Sequence, residues 1–369
     1  MKLREDARWS LVVPTSMGIR ITPEHRQSVH TADRYLLQAT SAETNVASVV
    51  SHLGEPTKVL TAFVAGSPMA TIIKANLRAR GMDFEGPELP QGDAWGLRHQ
   101  FNIADSGYGG RAPRVWNDRA GEVGRELSVD QFDLDRLFGR EGVKVLHLSG
   151  LIASLSPKTS AFCVELARAA KRHGTVVSMD MNYRASFWKG RESELATAFA
   201  ELASLCDILY GNEEDFQLCL GIPGPEAGGE GIDAEIEGFK AMIGRISAAY
   251  PGASMIGTSL REVVSAGRHR WGLILWERND SDAAGAGELG GTTVVLPLRE
   301  IEVLDRIGGG DGSVGGVLYG VLQEWPVELC AQFGWACGAL AATSLHDYAA
   351  PADEAQVWSI WEGNARVQR

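Results

Sequence analysis

The strongest chemical signal lies near residue 310, where Asp305-Arg306-Ile307-Gly308-Gly309-Gly310-Asp311 separates two periodic segments. Arg299 to Leu304 alternates, with Ile301 and Val303 on one face, and predicts a strand. After Asp311, the apolar residues Val314, Val317, Leu318, Val321 and Leu322 recur at helical spacing. A strand, a glycine turn and a helix start together make an anion site. The first backbone N–H groups of the helix have no intrahelical acceptor, and the helix dipole adds positive potential. Glycines let a phosphate approach that backbone closely. At the lip of such a site, Asp311 has two readings: a helix N-cap, or a base that takes a proton from an attacking hydroxyl. The run is not Gly-x-Gly-x-x-Gly and lacks the Lys-Ser/Thr of a P-loop, so neither of those phosphate motifs is present.

The elements that must hold this turn alternate between strand and helix from about residue 143 onward. Val143 to Ser149, Thr175 to Asp180, Asp207 to Tyr210 and Ala253 to Thr258 read as strands. Ser156-Pro157 begins a helix that stops at Gly174, a helical stretch runs to about Ser204, and another covers roughly 234–249. This alternation predicts an α/β fold with a mostly parallel sheet covered by helices on both faces. Ligands of such sheets bind beyond the carboxyl ends of the strands. That rule singles out Ser149, Asp180, Asn182, Asn212 and Thr258 beside the glycine run. The N-terminal third is different. Leu11 to Thr22, Tyr35 to Ala39, Ala94 to Asn102 and Arg114 to Asn117 read as β, and part of them as a small flap. The Gly- and acid-rich segments 221–232 and 280–291 read as surface loops.

Composition narrows the function classes. Of 369 residues, 44% are hydrophobic and 22% charged, an ordinary globular balance, and the formal net charge of −12 argues against a nucleic-acid partner. No apolar stretch is long enough to span a membrane, and no basic amphipathic stretch would seek anionic lipid. The N-terminus does not read as a signal peptide. Five cysteines without metal-ligand spacing read as reduced, mostly buried thiols of a cytoplasmic protein.

Asp305 to Gly316 resembles the C-terminal signature of the ribokinase-like (PfkB) carbohydrate kinases. Its Asp-Arg-x-Gly-Gly-Gly-Asp form is similar to the branch that phosphorylates 2-keto-3-deoxygluconate. Asp180-Met181-Asn182-Tyr183-Arg184 with Phe187-Trp188, Asn212-Glu213-Glu214-Asp215, Arg111 to Ala120, and the ending Gly363 to Arg369 also resemble that branch. The resemblance implies one domain over 1–369, a ribokinase-like three-layer α/β/α sandwich with a small β lid. Lid strands are expected from about 11–44 and 93–125, and the core from about 45–92 and 126–369. It implies Asp311 as catalytic base, with the amides of Gly308, Gly309 and Gly310 as the anion hole. It implies Arg184, Asp180, Asn182, Arg119, Asn45 and Ser16 around the sugar, with Arg184 facing a carboxylate. Asn212, Thr258, Ser259 and Arg261 are implied on the nucleotide side. ATP and Mg²⁺ are the implied cofactors, with Asn212 and Asp215 ordering the metal through water and a monovalent cation as a further candidate. Two lids are implied to pack as a homodimer. Read as residues alone, Asn212 could simply cap a helix, Arg184 could form a surface ion pair, and Arg119 could be a solvated edge charge.

The chain departs from the family pattern mainly on the sugar side. The end of the first strand carries Ser16 where an acid is usual, Thr40-Ser41 replaces Gly-Gly, Asn117 replaces a Tyr, and Gly312-Ser313-Val314 follows the base. The reading is therefore an ATP-dependent kinase acting on a primary hydroxyl of a sugar acid, most closely 2-keto-3-deoxygluconate. The alternatives are a kinase for fructose, ribose or a nucleoside, and a weakly catalytic regulatory paralogue. A dinucleotide-dependent oxidoreductase fails for want of Gly-x-Gly-x-x-Gly after the early strands.

Overall fold

The computed structural model describes residues 1–226, 231–279 and 290–366. Its strands are β1 (Trp9–Pro14), β2 (Gly18–Pro23), β3 (Tyr35–Thr40), β4 (Thr57–Leu60), β5 (Phe63–Val64), β6 (Asp83–Glu85), β7 (Glu88–Leu89), β8 (Gln100–Asp105), β9 (Arg114–Asp118), β10 (Val143–Ser149), β11 (Val176–Asp180), β12 (Ile208–Tyr210), β13 (Met255–Ser265), β14 (Arg268–Glu277) and β15 (Thr292–Glu302). Its α-helices are α1 (Ala42–His52), α2 (Pro68–Ala79), α3 (Gly150–Ser154), α4 (Pro157–Arg172), α5 (Ala185–Trp188), α6 (Glu192–Leu205), α7 (Glu213–Leu220), α8 (Ile236–Ala249), α9 (Gly309–Leu322), α10 (Val327–Ala341) and α11 (Glu354–Trp361). The main sheet runs β15-β14-β13-β12-β11-β10-β1-β4-β6. It is parallel from β13 to β6 and antiparallel where β14 and β15 extend it.

Strands buried on both faces feed two hydrophobic layers. Val12 packs with Phe162, Leu166, Phe199 and Phe216 on one side of the sheet, while Leu11 and Val13 join Val49, Leu77, Leu318 and Phe333 on the other. This is the expected three-layer α/β/α arrangement. All five cysteines are buried and unpaired. No described helix is long and apolar enough to cross a membrane.

A second sheet, β3-β2-β8-β9, forms the lid. Its extent corrects the sequence reading. The run 11–22 is two strands, not one. Trp9–Pro14 is fully buried and pairs in parallel with β10 and β4, so it belongs to the core. The chain crosses to the lid through Thr15–Met17 and resumes pairing only at Gly18. The predicted strand at 94–102 is shifted to Gln100–Asp105. Of the two predicted surface loops, residues 227–230 and 280–289 lie outside the described residues.

α9 also differs from expectation. It is not an amphipathic helix with one buried stripe, since every residue from Gly312 to Leu322 is buried. It runs between α1 and α10, where a Cβ at Gly315 would lie 2.6 Å from the Val46 carbonyl oxygen and one at Gly312 2.8 Å from that of Cys337. Small residues are what allow the helix that carries Asp311 to sit this deep.

Candidate active site

The candidate site lies at the carboxyl ends of the parallel strands, between the starts of α1 and α9. α9 begins earlier than the apolar pattern suggested. Gly308 is its N-cap, in the left-handed region at φ 84°, and Gly309 is its first residue. Asp311 is therefore the third helical residue, which removes the N-cap reading. Among the described residues the amides of Gly308, Gly310 and Asp311 have no backbone acceptor, while Gly309 N–H reaches the Arg306 carbonyl at only 3.5 Å. Of the amides expected in the anion hole, those of Gly308 and Gly310 are free among the described residues, and Asp311 adds a further free first-turn donor.

Asn45, from the first turn of α1, donates its Nδ2 to Asp311 Oδ2 at 2.9 Å. Asp311 is pushed up to about 7, chiefly by burial; the Asn45 bond and Arg184 pull the other way, and Asp347 adds to the rise. Burial likewise drives Asp180 well above the usual carboxylate range, with the charges of Asp215 and Asp311 adding to it. Asp180 accepts from Asn182 Nδ2 at 3.2 Å. Asn182 has a positive φ of 39° and keeps a buried Oδ1 without a partner among the described residues.

Asn212 and Asp215 form a reciprocal cap at the start of α7. Asn212 Oδ1 accepts from Asp215 N–H at 2.8 Å and Asp215 Oδ2 from Asn212 N–H at 3.0 Å. Asp215 Oδ1 also accepts from Tyr183 N–H at 2.9 Å. The capping alternative is therefore realised, and each Asp215 oxygen still has a lone pair for a water. Among the described residues no group of three His, Cys, Asp or Glu side chains is disposed to hold a metal ion by itself. The charges of Asp215 and Asp311 that oppose ionisation of Asp180 nevertheless fit a divalent cation that arrives with its phosphates.

Arg184 is exposed and, among the described residues, donates only to its neighbour's carbonyl, Tyr183 O, at 2.7 Å. Its charge lowers the pKa of Asp180, Asp215 and Asp311 alike. The surface ion pair considered for it does not form among the described residues. Arg119 is no solvated edge charge either. It is mostly buried, bonds Glu122 at 2.7 Å and lies 5.3 Å from the centre of the Phe187 ring.

Ser16, where the family pattern has an acid, is itself bonded to one. Its Oγ donates to the same Glu122 oxygen at 2.6 Å. Glu43, fully enclosed in α1, accepts from Thr15 Oγ1 at 2.5 Å and from Ser149 Oγ. Burial raises its pKa. Glu43 and Glu122 thus stand at the end of β1, and sequence reasoning missed both. The only available signal was Glu43's position two residues before Asn45. The Thr40-Ser41 pair that replaces Gly-Gly has work of its own: Thr40 donates to Asp347 and Ser41 caps α1.

Of the residues expected to face the nucleotide, Thr258 is fully buried, its Oγ1 without a partner among the described residues, and Ser259 is half-buried. The pKa of Arg261 falls through loss of hydration and the neighbouring Arg306 charge. His269 is pushed down to about 4 by burial and then by these two arginines. Arg306, which the sequence reading did not assign, is thus a second cation beside the glycine turn.

A family model described as pfkB family carbohydrate kinase matches residues 134–251 and 280–353. The chain is 25% identical over 354 residues to the 2-dehydro-3-deoxygalactonokinase of Haloferax volcanii, covering 95% of this chain and 96% of that protein. Its fold is similar to that of the 2-dehydro-3-deoxygluconokinase of Thermotoga maritima, with a TM-score of 0.84 at 22% identity over 96% of this chain and all of that one. It is similar at a TM-score of 0.71 and 16% identity to an E. coli protein assigned as ribokinase II and solved with ATP and Mg²⁺, over 96% of this chain and 100% of that one.

Proposed function

Since the chain belongs to the pfkB family of carbohydrate kinases, we propose that it transfers the γ-phosphoryl group of ATP to a primary hydroxyl of a sugar acid, with 2-keto-3-deoxygluconate as the leading substrate. The observation that carries this reading is the Asn45–Asp311 pair at the start of α9, beside free first-turn amides. Asp311 accepts the proton of the attacking hydroxyl, whose oxygen forms the new bond to the γ-phosphorus as the bond to the β-phosphate oxygen breaks. Its pKa near neutrality suits that exchange. The amides of Gly310 and Asp311 donate to the equatorial oxygens as their charge rearranges. Asn212 and Asp215 would order Mg²⁺ through water, and when bound the ion neutralises phosphate charge. Thr258, Ser259, Arg261 and Arg306 flank the nucleotide. A monovalent cation is a further candidate cofactor.

Arg184 and Arg119 support an acid rather than a neutral sugar. The stronger case is Arg184, whose guanidinium has no carboxylate bonded to it among the described residues. Arg119 shares its charge with Glu122 and orients more than it attracts. The lid supports a homodimer. Its outer face presents the cross-strand row Leu37–Ile21–Ile103–Trp116, with Leu37 52% and Trp116 47% exposed, an apolar face that a second lid would cover. Coupled ADP release with a panel of sugar acids and neutral sugars tests the assignment. Turnover confined to carboxylate-free sugars overturns the acid. Nucleotide binding with no transfer to any sugar favours the second reading, a regulatory paralogue, which the altered residues Ser16, Thr40 and Ser41 motivate.

A further inference from the structure

The lid meets the glycine turn at a buried point that the reaction above does not use. Arg20, in the middle of β2, and Asp305, the first residue of the turn, are paired with no exposed side-chain surface on either. The same Asp305 oxygen accepts from Ser106 Oγ at 2.9 Å, just past the end of β8. The other oxygen accepts the Ile307 N–H at 3.0 Å. One carboxylate thus joins two lid strands to the segment leading into Gly308–Asp311. The far side of the turn is tied to the lid as well. Gly308 presses so closely on the Asp347 carbonyl that a Cβ would lie 1.8 Å from its oxygen. The Asp347 carboxylate accepts from Thr40 Oγ1 at the end of β3.

An enclosed ion pair is a poor device for stability alone. Desolvating both charges offsets their attraction, and an apolar pair of the same volume often serves as well. Here the desolvation is not fully compensated, since Arg20 Nε and Nη1 have no partner among the described residues. What such a pair supplies is direction and distance. Amides that stabilise a transferring phosphoryl need that accuracy, because a misplacement of about 1 Å costs on the order of a hundredfold in rate.

We propose that Arg20 and Asp305 are positioning residues: the seat of the lid on the turn sets the amides of Gly310 and Asp311, so that closing over the sugar and completing the anion hole are one event. This rests on the phosphoryl-transfer reading of the turn. The test uses the full chain with Arg20→Met, Arg20→Lys and Ser106→Ala, measuring kcat, both KM values, melting temperature and deuterium exchange at Ile307–Asp311. For Arg20→Met, kcat falls about 30-fold or more while each KM stays within about threefold, and exchange at the turn rises. Arg20→Lys, which keeps the charge, recovers most of kcat. Ser106→Ala loses roughly three- to tenfold, the value of one hydrogen bond. A lowered melting temperature with unchanged kcat overturns the proposal, because the pair is then only structural. Should Arg20→Met fail to fold, an unchanged kcat and unchanged exchange in Ser106→Ala overturn it instead. A wild-type chain that turns over no sugar defeats the phosphoryl-transfer reading, and the exchange comparison still decides the strut.

Discussion

Replacing Asp311 with Asn separates two consequences of one buried carboxyl. Asp311 titrates at about 7, with burial as the main cause, against about 3.9 for an unperturbed aspartate. The difference corresponds to roughly 4 kcal/mol of opposition to folding once the group must ionise. Asp311 keeps some exposure, so about 2 kcal/mol is the working figure. The sign follows from proton counting. Below about pH 4 both folded and unfolded chains hold the proton, and the penalty is absent. Between pH 4 and 7 only the unfolded chain releases it, so the penalty grows, and above 7 it is constant. Asp311→Asn removes it, because the amide can still meet Asn45 without a charge. The variant should melt about 2–4 °C higher than wild type at pH 8 and at the same temperature near pH 4. Its ATP affinity should stay within about threefold, since the amides survive, while kcat falls about 10²- to 10⁴-fold through loss of the base. Differential scanning fluorimetry at the two pH values, with coupled ADP release, reads both effects. A kcat within tenfold of wild type, or a melting point at pH 8 that is unchanged or lower, refutes the reasoning.

Other expectations follow from the same geometry. The pH profile of kcat/KM should rise with a midpoint near 7 as Asp311 ionises, and Asn45→Ala, which removes a bond that lowers that pKa, should move the midpoint upward; a profile flat from pH 5 to 9 contradicts the assignment. Gly310→Ala meets nothing within 4 Å, so it should fold normally and yet lose kcat by about tenfold or more as its methyl enters the phosphate approach; Gly308→Ala, facing the Asp347 carbonyl, should lose solubility or melting temperature first. Arg184→Ala should raise KM for a sugar acid about 10- to 100-fold, the worth of a charge-assisted hydrogen bond, and leave any neutral sugar that the enzyme accepts unaffected; equal effects on both would remove Arg184 from carboxylate recognition.

These predictions concentrate where local sequence pattern and tertiary structure agree, and the disagreements have a physical pattern of their own. In a parallel α/β sheet the catalytic groups sit at strand ends, so a contiguous strand, turn and helix start carries its chemistry in sequence. That made the Asp311 turn, Asp180 and Asn212 legible. Even there, propensity misjudged the helix start, because glycines score as helix breakers while α9 begins within the glycine run, at Gly309. The sugar side obeys no such local rule. Its acids reach the end of β1 from α1 and from the segment after β9, and their partners Thr15, Ser16 and Ser149 are chosen by packing across 28 and 106 positions. Arg20 and Asp305 are 285 positions apart. The lid boundary failed for a related reason. A run of apolar residues from 11 to 22 does not reveal that its first half is buried on both faces and its second half on a lid, since only the pairing partners differ. The apparent loss of an acid at Ser16 therefore reads differently in three dimensions. The serine bonds Glu122, which it shares with Arg119, so a buried, neutralised acid–cation pair stands where a lone carboxylate was expected. That arrangement lowers the cost of bringing a second negative charge into the pocket, and it adds to the case that the unpaired Arg184 guanidinium makes for testing sugar acids ahead of neutral sugars.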